Sequence, residues 1–151
     1  MKDLTPPVVD GVFTHEIRVG WGDCDPAQIA YTARLPDFGL RTIDAWWEAI
    51  LGYGWFEMNL EKGWGTPFVH LACNFKSPVT PRHRLVCKLK PVRLGRSSLA
   101  FDLAAYQNGV HCFDGDFVSV FVDSTTFESI APPDHVREVI EPLIAATGSV
   151  R

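Results

Sequence analysis

The stretch PDFGLRTIDAWWEAIL, residues 36–51, carries the strongest helical pattern in the sequence. Its apolar residues recur three and four positions apart, which places them on one buried face of a helix. These residues are Leu40, Ile43, Trp47, Ile50 and Leu51. Charged residues form the opposite face, namely Asp37, Arg41, Asp44 and Glu48. Since proline suits a first helical turn and glycine a helix end, Pro36 and Gly52 bound one long amphipathic helix.

Strand patterns lie on both sides of this helix. One lies upstream and the others downstream, in the order 13–21, 68–75, 84–90, 99–105 and 110–122. Each is a short apolar or alternating run bounded by turn residues. The last run is apolar on both faces near its end, which predicts a strand inside the sheet. Asn108-Gly109, between apolar runs, predicts a tight hairpin.

The remaining segments connect or end these elements. Residues 1–11 are rich in proline and aspartate and predict a flexible tail, residues 52–66 a loop with one helical turn, and residues 134–146 a short C-terminal helix. A length of 151 residues fits a single domain, residues 1–151. The order of elements predicts an α+β fold in which a five- or six-stranded antiparallel sheet wraps one helix. One helix cannot cover all the apolar surface of that sheet, so we expect a homodimer or homotetramer.

Composition excludes several classes of protein. The net charge of −4 speaks against nucleic-acid binding, which usually requires a basic surplus. The four cysteines form no CxxC pair, and the five histidines show no HxxxH or HxH spacing, so we expect no metal site, no disulfide framework and no cofactor. The sequence shows no secretion signal and no apolar run that would span a membrane. These features predict a cytoplasmic protein that does not bind membranes.

The segment Trp21-Gly-Asp-Cys-Asp-Pro-Ala27 places two carboxylates where a strand gives way to a helical turn. In one interpretation Asp25 caps a helix N-terminus and Pro26 occupies the first helical position. In the other, free N–H groups at that N-terminus bind the oxygen of a polarised carbonyl. A carboxylate beside them then attacks the carbonyl carbon or activates a water. Asp23 points to the opposite face of an extended segment, so the two carboxylates need not share a role.

The same segment, with Ile29 and Tyr31, resembles the signature of the 4-hydroxybenzoyl-CoA thioesterase family of hot-dog proteins. Residues 65–67, 75–79 and 94–98 also resemble the pattern of that family, and the likeness covers roughly residues 13–125. The resemblance implies a hot-dog fold and the hydrolysis of an acyl-CoA thioester. It also implies that Asp25 is the catalytic carboxylate and that the N–H of Tyr31 or Thr32 polarises the thioester carbonyl.

In the family, basic residues after the central helix hold the nucleotide end of coenzyme A, often from a neighbouring subunit. By resemblance, Arg93, Arg96 and Ser97 are the candidates here. The family usually has glycine after Asp-Pro-Ala, whereas this sequence has Gln28. Glycine permits an unusual φ or a close approach, so Gln28 is expected to contact or restrict the substrate.

The predicted function is therefore an acyl-CoA thioesterase, with Asp25 as nucleophile or general base. One candidate substrate is an aromatic acyl-CoA, with Trp46, Trp47, Trp55 and Trp64 as pocket candidates. Two alternatives stay open, a hot-dog acyl-CoA hydratase or dehydratase using His70 or His111, and a non-catalytic acyl-CoA-binding protein. A second branch of hot-dog thioesterases uses an acid on the central helix, which would be Asp44 or Glu48. No Gly-x-Ser-x-Gly motif suggests a serine hydrolase.

Overall fold

A computed structural model describes residues 8–151. The predicted long helix, α1, spans Arg34–Leu51 and ends at Gly52, whose φ of 85° is the left-handed conformation that closes many helices. The helix begins two residues before the predicted start. Its fully buried side chains include Phe38, Ile43 and Trp47, whereas Leu40 is only half-buried at the margin of the buried face.

Within residues 8–151 the other elements are two further α-helices and eight strands, besides one 3-10 helix. They are β1 Val8–Val9, β2 Val12–Ile17, α2 Trp55–Leu60, β3 Trp64–Gly65, β4 Phe68–Phe75, β5 Leu85–Leu94, β6 Ser98–Gln107, β7 Val110–Val120, β8 Val122–Asp123 and α3 Asp134–Ala145. Six strands form one sheet in the order β1-β2-β5-β6-β7-β4, and every adjacent pair is antiparallel. Strands β3 and β8 form a separate two-stranded pair. The predicted α+β arrangement is confirmed, and β7 lies inside the sheet as expected.

Two boundaries differ from the prediction. Residues 8–11 are not a tail, because Val8 pairs with Phe13 and Val9 with Val12 across a tight turn. A strand of two residues is too short to produce a periodic pattern. Residues 1–7 of the predicted tail lie outside the described residues. The strand predicted for residues 13–21 stops at Ile17, and a 3-10 helix, Trp21–Asp23, follows.

The register defines two ends of the sheet. At one end Phe75 of β4 pairs with Phe113, and this row continues across the sheet to Ala105, Cys87 and His15. We call this the Phe75 end. At the other end Phe68 pairs with Ser119, and the row continues to Leu99 and Leu94, next to the turn between β5 and β6. We call this the Phe68 end. On β5 the two rows contain Cys87 and Leu94, and the seven residue steps between them separate the two ends by about 23 Å.

Helix α3 packs against β5, and its buried Val136 and Ile140 belong to the same core as the buried face of α1. Lys90 of β5 donates hydrogen bonds to the carbonyl oxygens of Ile144 and Ala146, at 3.1 and 2.9 Å, where α3 ends. The C-terminal end of a helix carries partial negative charge, so a cation at this position is favourable. Arg151 forms two hydrogen bonds to the carboxylate of Asp102. Among residues 8–151, no helix is long and apolar enough to cross a membrane.

Candidate active site

A tight reversal of the chain carries Asp25. The Asp25 N–H donates to the Ile29 carbonyl at 3.0 Å, the Gln28 N–H donates to the Asp25 carbonyl at 2.9 Å, and Cys24 pairs with Ala30. Residues 26–29 therefore form a turn, and the expected helix start at Asp25-Pro26 is wrong. The central helix begins at Arg34, because the reversal between Cys24 and Ala30 leaves no room for continuous helical hydrogen bonds.

The Asp25 carboxylate has one oxygen held and one oxygen free. Its Oδ1 accepts a hydrogen bond from the Ala27 N–H at 2.8 Å, which fixes the side chain over the turn. Its Oδ2 has no hydrogen-bond partner among residues 8–151. The side chain is half-buried and lines a cavity of about 310 Å³ together with Trp21, Cys24 and Gln28. A carboxylate held in this way can present its second oxygen to a water or a substrate.

Asp23 has a structural role that separates it from Asp25. Its Oδ2 accepts a hydrogen bond from the Gly20 N–H at 2.9 Å, and its Oδ1 lies 3.8 Å from Nε of Arg34. Its backbone carbonyl accepts the Tyr31 N–H at 2.8 Å. Asp23 thus joins the 3-10 helix, the chain reversal and the start of α1.

Of the two candidate N–H donors, that of Tyr31 already forms a hydrogen bond, and that of Thr32 forms none with the described residues. The Tyr31 N–H is used by the Asp23 carbonyl, so it cannot bind a substrate oxygen, and the expectation for Tyr31 is corrected. The Thr32 N–H has no acceptor among the described residues, and Thr32 lies on the exposed turn that leads into α1. Thr32 also lines a second cavity, of about 290 Å³, with Ile29, Leu35 and Phe75. This cavity and the one that Asp25 lines share no lining residue, and residues 24–32 border both.

Gln28 has a left-handed backbone, with φ of 67°. Non-glycine residues rarely adopt this conformation, which explains why glycine suits the position in the family that the motif resembles. The Gln28 side chain is exposed and lines the same cavity as Asp25. A substrate in that cavity would therefore meet an amide next to the carboxylate.

The candidate nucleotide-binding residues lie at the other end of the sheet. Arg93 and Arg96 are exposed, and neither forms an ion pair with any of residues 8–151. Ser97 is half-buried, and its carbonyl accepts the Phe121 N–H at 2.7 Å. These residues belong to the Phe68 end, whereas Asp25 follows β2 at the Phe75 end. One chain does not bring the two groups together.

The acids and histidines of the alternative mechanisms lie elsewhere in the fold. Asp44 accepts a hydrogen bond from the Trp55 N–H at 2.8 Å, and Glu48 is exposed next to it on a polar cavity of about 500 Å³. His70 is exposed, and Nε2 of His111 lies 2.6 Å from Oδ1 of Asp114 on the same strand, β7. Within residues 8–151 no cluster of three or more potential metal ligands occurs.

Burial disfavours a role in the chemistry for three of the four thiols and for three of the four candidate tryptophans. Burial raises the pKa of Cys73 and Cys112, and raises that of Cys87 to about 12, which disfavours the nucleophilic thiolate. Trp46, Trp47 and Trp64 are packed in the core. Of the four tryptophans proposed for an acyl pocket, only Trp55 lines a cavity.

Sequence reasoning missed three residues that line the cavities. Trp21, 83% exposed, stands beside Asp25, and its place in the motif was a usable signal. Phe75, 53% exposed, borders the Thr32 cavity. Phe127 has a positive φ of 60° and borders a third cavity. No local pattern marks Phe127, because the sequence around it resembles an ordinary polar turn.

Comparison with known proteins identifies the family. A family model described as the thioesterase-like superfamily matches residues 19–140. A thioesterase-superfamily structure from Jannaschia is 48% identical, covers 97% of this chain and 100% of its own, and superimposes with a TM-score of 0.85. The chain belongs to the thioesterase-like superfamily. The predicted hot-dog fold and the prediction of a thioester hydrolase are thereby confirmed.

More distant structures share the fold. A 1,4-dihydroxy-2-naphthoyl-CoA thioesterase from Synechocystis is 16% identical, with a TM-score of 0.76, covering 89% of this chain and 96% of its own. A thioesterase from Thermus thermophilus in complex with coenzyme A and zinc is 20% identical, with a TM-score of 0.76, covering 91% of this chain and 97% of its own. A search of curated proteins found no significant match.

Proposed function

We propose that this protein hydrolyses an acyl-CoA thioester, with Asp25 as the reacting carboxylate and the Thr32 N–H as the donor to the carbonyl oxygen. The observation that carries the proposal is that Asp25 lines a cavity at the chain reversal that leads into α1, with Oδ1 held by the Ala27 N–H and Oδ2 without a hydrogen-bond partner among residues 8–151. The Thermus thioesterase, which shares the fold, is in complex with coenzyme A. This supports coenzyme A as the thiol half of the substrate.

Electrostatics at the start of α1 explains how the site would lower the barrier. When the thioester carbon is attacked, its oxygen gains negative charge. The Thr32 N–H and the positive end of an 18-residue helix stabilise that charge. Because these donors are fixed before the substrate arrives, little reorganisation is needed in the transition state.

Asp25 can act in either of two ways. As a nucleophile, Oδ2 bonds to the thioester carbon, the carbon–sulfur bond breaks, and water then hydrolyses the resulting anhydride. As a general base, Asp25 takes a proton from the water that attacks the carbon. In both routes coenzyme A leaves as a thiolate. A thiol has a pKa of only about 8.5, so the sulfur can depart without first being protonated by an acid of the protein. Oxygen-18 transfer from water into Asp25 during a single turnover distinguishes the nucleophilic route.

A complete site would use two subunits. Strand β4 is an edge strand of eight residues, paired only with β7. Exposed on it are the side chains of Val69, Leu71 and Phe75. We propose that two copies pair antiparallel through β4 about a two-fold axis. This arrangement sets the Phe68 end of one subunit, with Arg93 and Arg96, beside the Phe75 end of the other.

The test of Asp25 compares two substitutions two residues apart. Asp25→Asn keeps an oxygen for the Ala27 N–H but removes the base and nucleophile, so kcat should fall by about 100-fold or more while the Tm stays unchanged. The matched control is Asp23→Asn, which weakens a carboxylate that holds Gly20 and Arg34. This substitution should lower the Tm and leave kcat within a few-fold of the wild-type value.

Release of free thiol should be measured on short-chain, long-chain and aromatic acyl-CoA substrates. An acyl-CoA hydratase would change an unsaturated substrate without releasing thiol, and a binding protein would change none. If Asp25→Asn retains kcat within a few-fold of the wild-type value, the proposed role of Asp25 is wrong.

A further inference from the structure

Another cavity, of about 300 Å³, opens at the Phe68 end of the sheet. We call it the Trp55 pocket, and its walls include Leu40 of α1, Trp55 of α2, Phe68 of β4 and Phe127. The indole N–H of Trp55 is consumed by the Thr66 hydroxyl at 3.0 Å. The surface of the pocket is therefore mainly apolar, and it suits an apolar ligand group.

Phe127 stands at this pocket in a conformation that packing alone does not require. Its φ is 60° and it is 69% exposed, so it gains little from core burial. A bulky residue with positive φ is an outlier, and such residues persist only where the surroundings hold them.

The turn that carries Phe127 is held from several sides. The Phe127 N–H donates to the Asp123 carbonyl at 2.9 Å. Oδ1 of Asp123 accepts the N–H groups of Thr125 and Thr126, at 2.9 and 3.0 Å. The N–H groups of Thr126 and Thr125 lower the pKa of the Asp123 carboxyl. The chain thus fixes an exposed aromatic ring at the mouth of an apolar cavity.

The position of the pocket fits the acyl half of the substrate. Within one chain it lies at the end of the sheet away from Asp25. In the two-fold arrangement proposed above, the Phe68 end of one subunit adjoins the Phe75 end of its partner. Because Phe68 lines the pocket and Phe75 lines the Thr32 cavity, the pocket of one subunit then lies at the sheet end that adjoins the Thr32 cavity of the other.

We propose that the Trp55 pocket binds the distal, apolar part of the acyl group, and that Phe127 determines which acyl groups the enzyme prefers. This inference rests on the proposed thioesterase function and adds the acyl-binding site to it. A pocket of about 300 Å³ is at the lower end of ligand-site volumes, which suits an aromatic ring or a medium-length chain and not a long fatty acyl group.

The test substitutes Phe127 by glycine, which removes the ring and accommodates the positive φ, and by alanine, which removes the ring alone. For benzoyl-CoA and octanoyl-CoA, both variants should raise KM about 10-fold, and for acetyl-CoA they should leave KM and kcat unchanged. The matched control is Phe56→Ala, because Phe56 is 80% exposed but borders the polar cavity instead. Equal effects on all three substrates, or none, would overturn the inference.

Binding to an inactive variant separates this inference from the proposed function. Calorimetry in the Asp25→Asn background should show about 10-fold weaker binding of octanoyl-CoA after Phe127→Gly, with acetyl-CoA unaffected. If the wild type releases no thiol but this difference persists, the hydrolase proposal fails and the acyl pocket stands. A change of oligomeric mass caused by Phe127→Gly would instead make the pocket a subunit contact and overturn the acyl assignment.

Discussion

The backbone at Gln28 shows how one residue can couple stability to the site. Its left-handed φ of 67° costs about 1–2 kcal/mol for a non-glycine residue. The resemblance to a family with glycine at this position left two reasons open, an unusual φ or a close approach, and the backbone of Gln28 has the unusual φ. The chain tolerates the strain at a position whose side chain lines the cavity of Asp25, which is where strain is commonly found in enzymes.

Replacing Gln28 by glycine should therefore stabilise the protein slightly. Relief of the strain outweighs the extra unfolded-state entropy of glycine, about 0.5–1 kcal/mol, so the Tm should rise by about 2–4 °C. Thermal unfolding measures the effect, and Gln28→Ala is the control, since alanine keeps the strained φ and should not raise the Tm. A lower Tm for the glycine variant would mean that the Gln28 side chain contributes more to folding than its backbone costs.

The motif pointed to Asp25 by residue types and their order, and the structure places this carboxylate at a cavity. Its catalytic role stays a prediction. The motif could not separate Tyr31 from Thr32, because the difference is one hydrogen bond from Tyr31 to the Asp23 carbonyl. That bond depends on a chain reversal that no local periodicity encodes.

The packing of α1 on the sheet depends on a glycine in the middle of the helix. A methyl group added to Gly39 would overlap the ring tip of Phe117 in β7, and Gly115 borders the same ring. Phe117 is fully buried, so it cannot move aside into solvent. The missing side chain of Gly39 lets the aromatic ring lie directly against the helix backbone.

Gly39→Ala should destabilise the protein although alanine is the better helix former. Overpacking costs about 1–3 kcal/mol and the helix propensity of alanine returns about 1 kcal/mol, which leaves a net loss of roughly 1 kcal/mol measurable by urea unfolding. Ala49→Gly, on the exposed face of α1, measures the propensity term alone. In the double variant with Phe117→Leu the two losses should be less than additive, because the smaller side chain makes room. Stabilisation by Gly39→Ala would contradict this packing.

Periodicity predicted the long elements and missed the short ones. The predicted residues 36–51 and 134–146 correspond to α1 and α3 within two residues, because amphipathic helices of that length repeat their pattern several times. Strands β1, β3 and β8 have two residues each and carry no repeat. The pairing of Gly39 with Phe117 joins residues far apart in sequence, so no window of sequence contains it.

The whole molecule has one edge that a second copy would cover. Strand β1 ends the sheet with only two residues, whereas β4 ends it with eight. Exposed apolar side chains on a long edge strand promote pairing with another chain. The separation of Asp25 from Arg96 along the sheet gives a functional reason for the same pairing, since a coenzyme A substrate needs both groups in the proposed site.

Subunit complementation tests this arrangement directly. Asp25→Asn removes the carboxylate from every site, and Arg96→Ala should weaken coenzyme A binding in every site by about 10-fold. If each site takes Asp25 from one subunit and Arg96 from the other, a mixed dimer contains one site with both residues intact. Co-expression with random mixing should then give about a quarter of wild-type activity at low substrate, well above the average of the two parent dimers.

The control is Leu71→Lys on β4, which should prevent dimer formation and remove the gain in activity. Val9→Lys on β1 should leave both the dimer and the gain unchanged. Activity equal to the average of the parents would show that each site lies within one chain, since mixing subunits would then restore none.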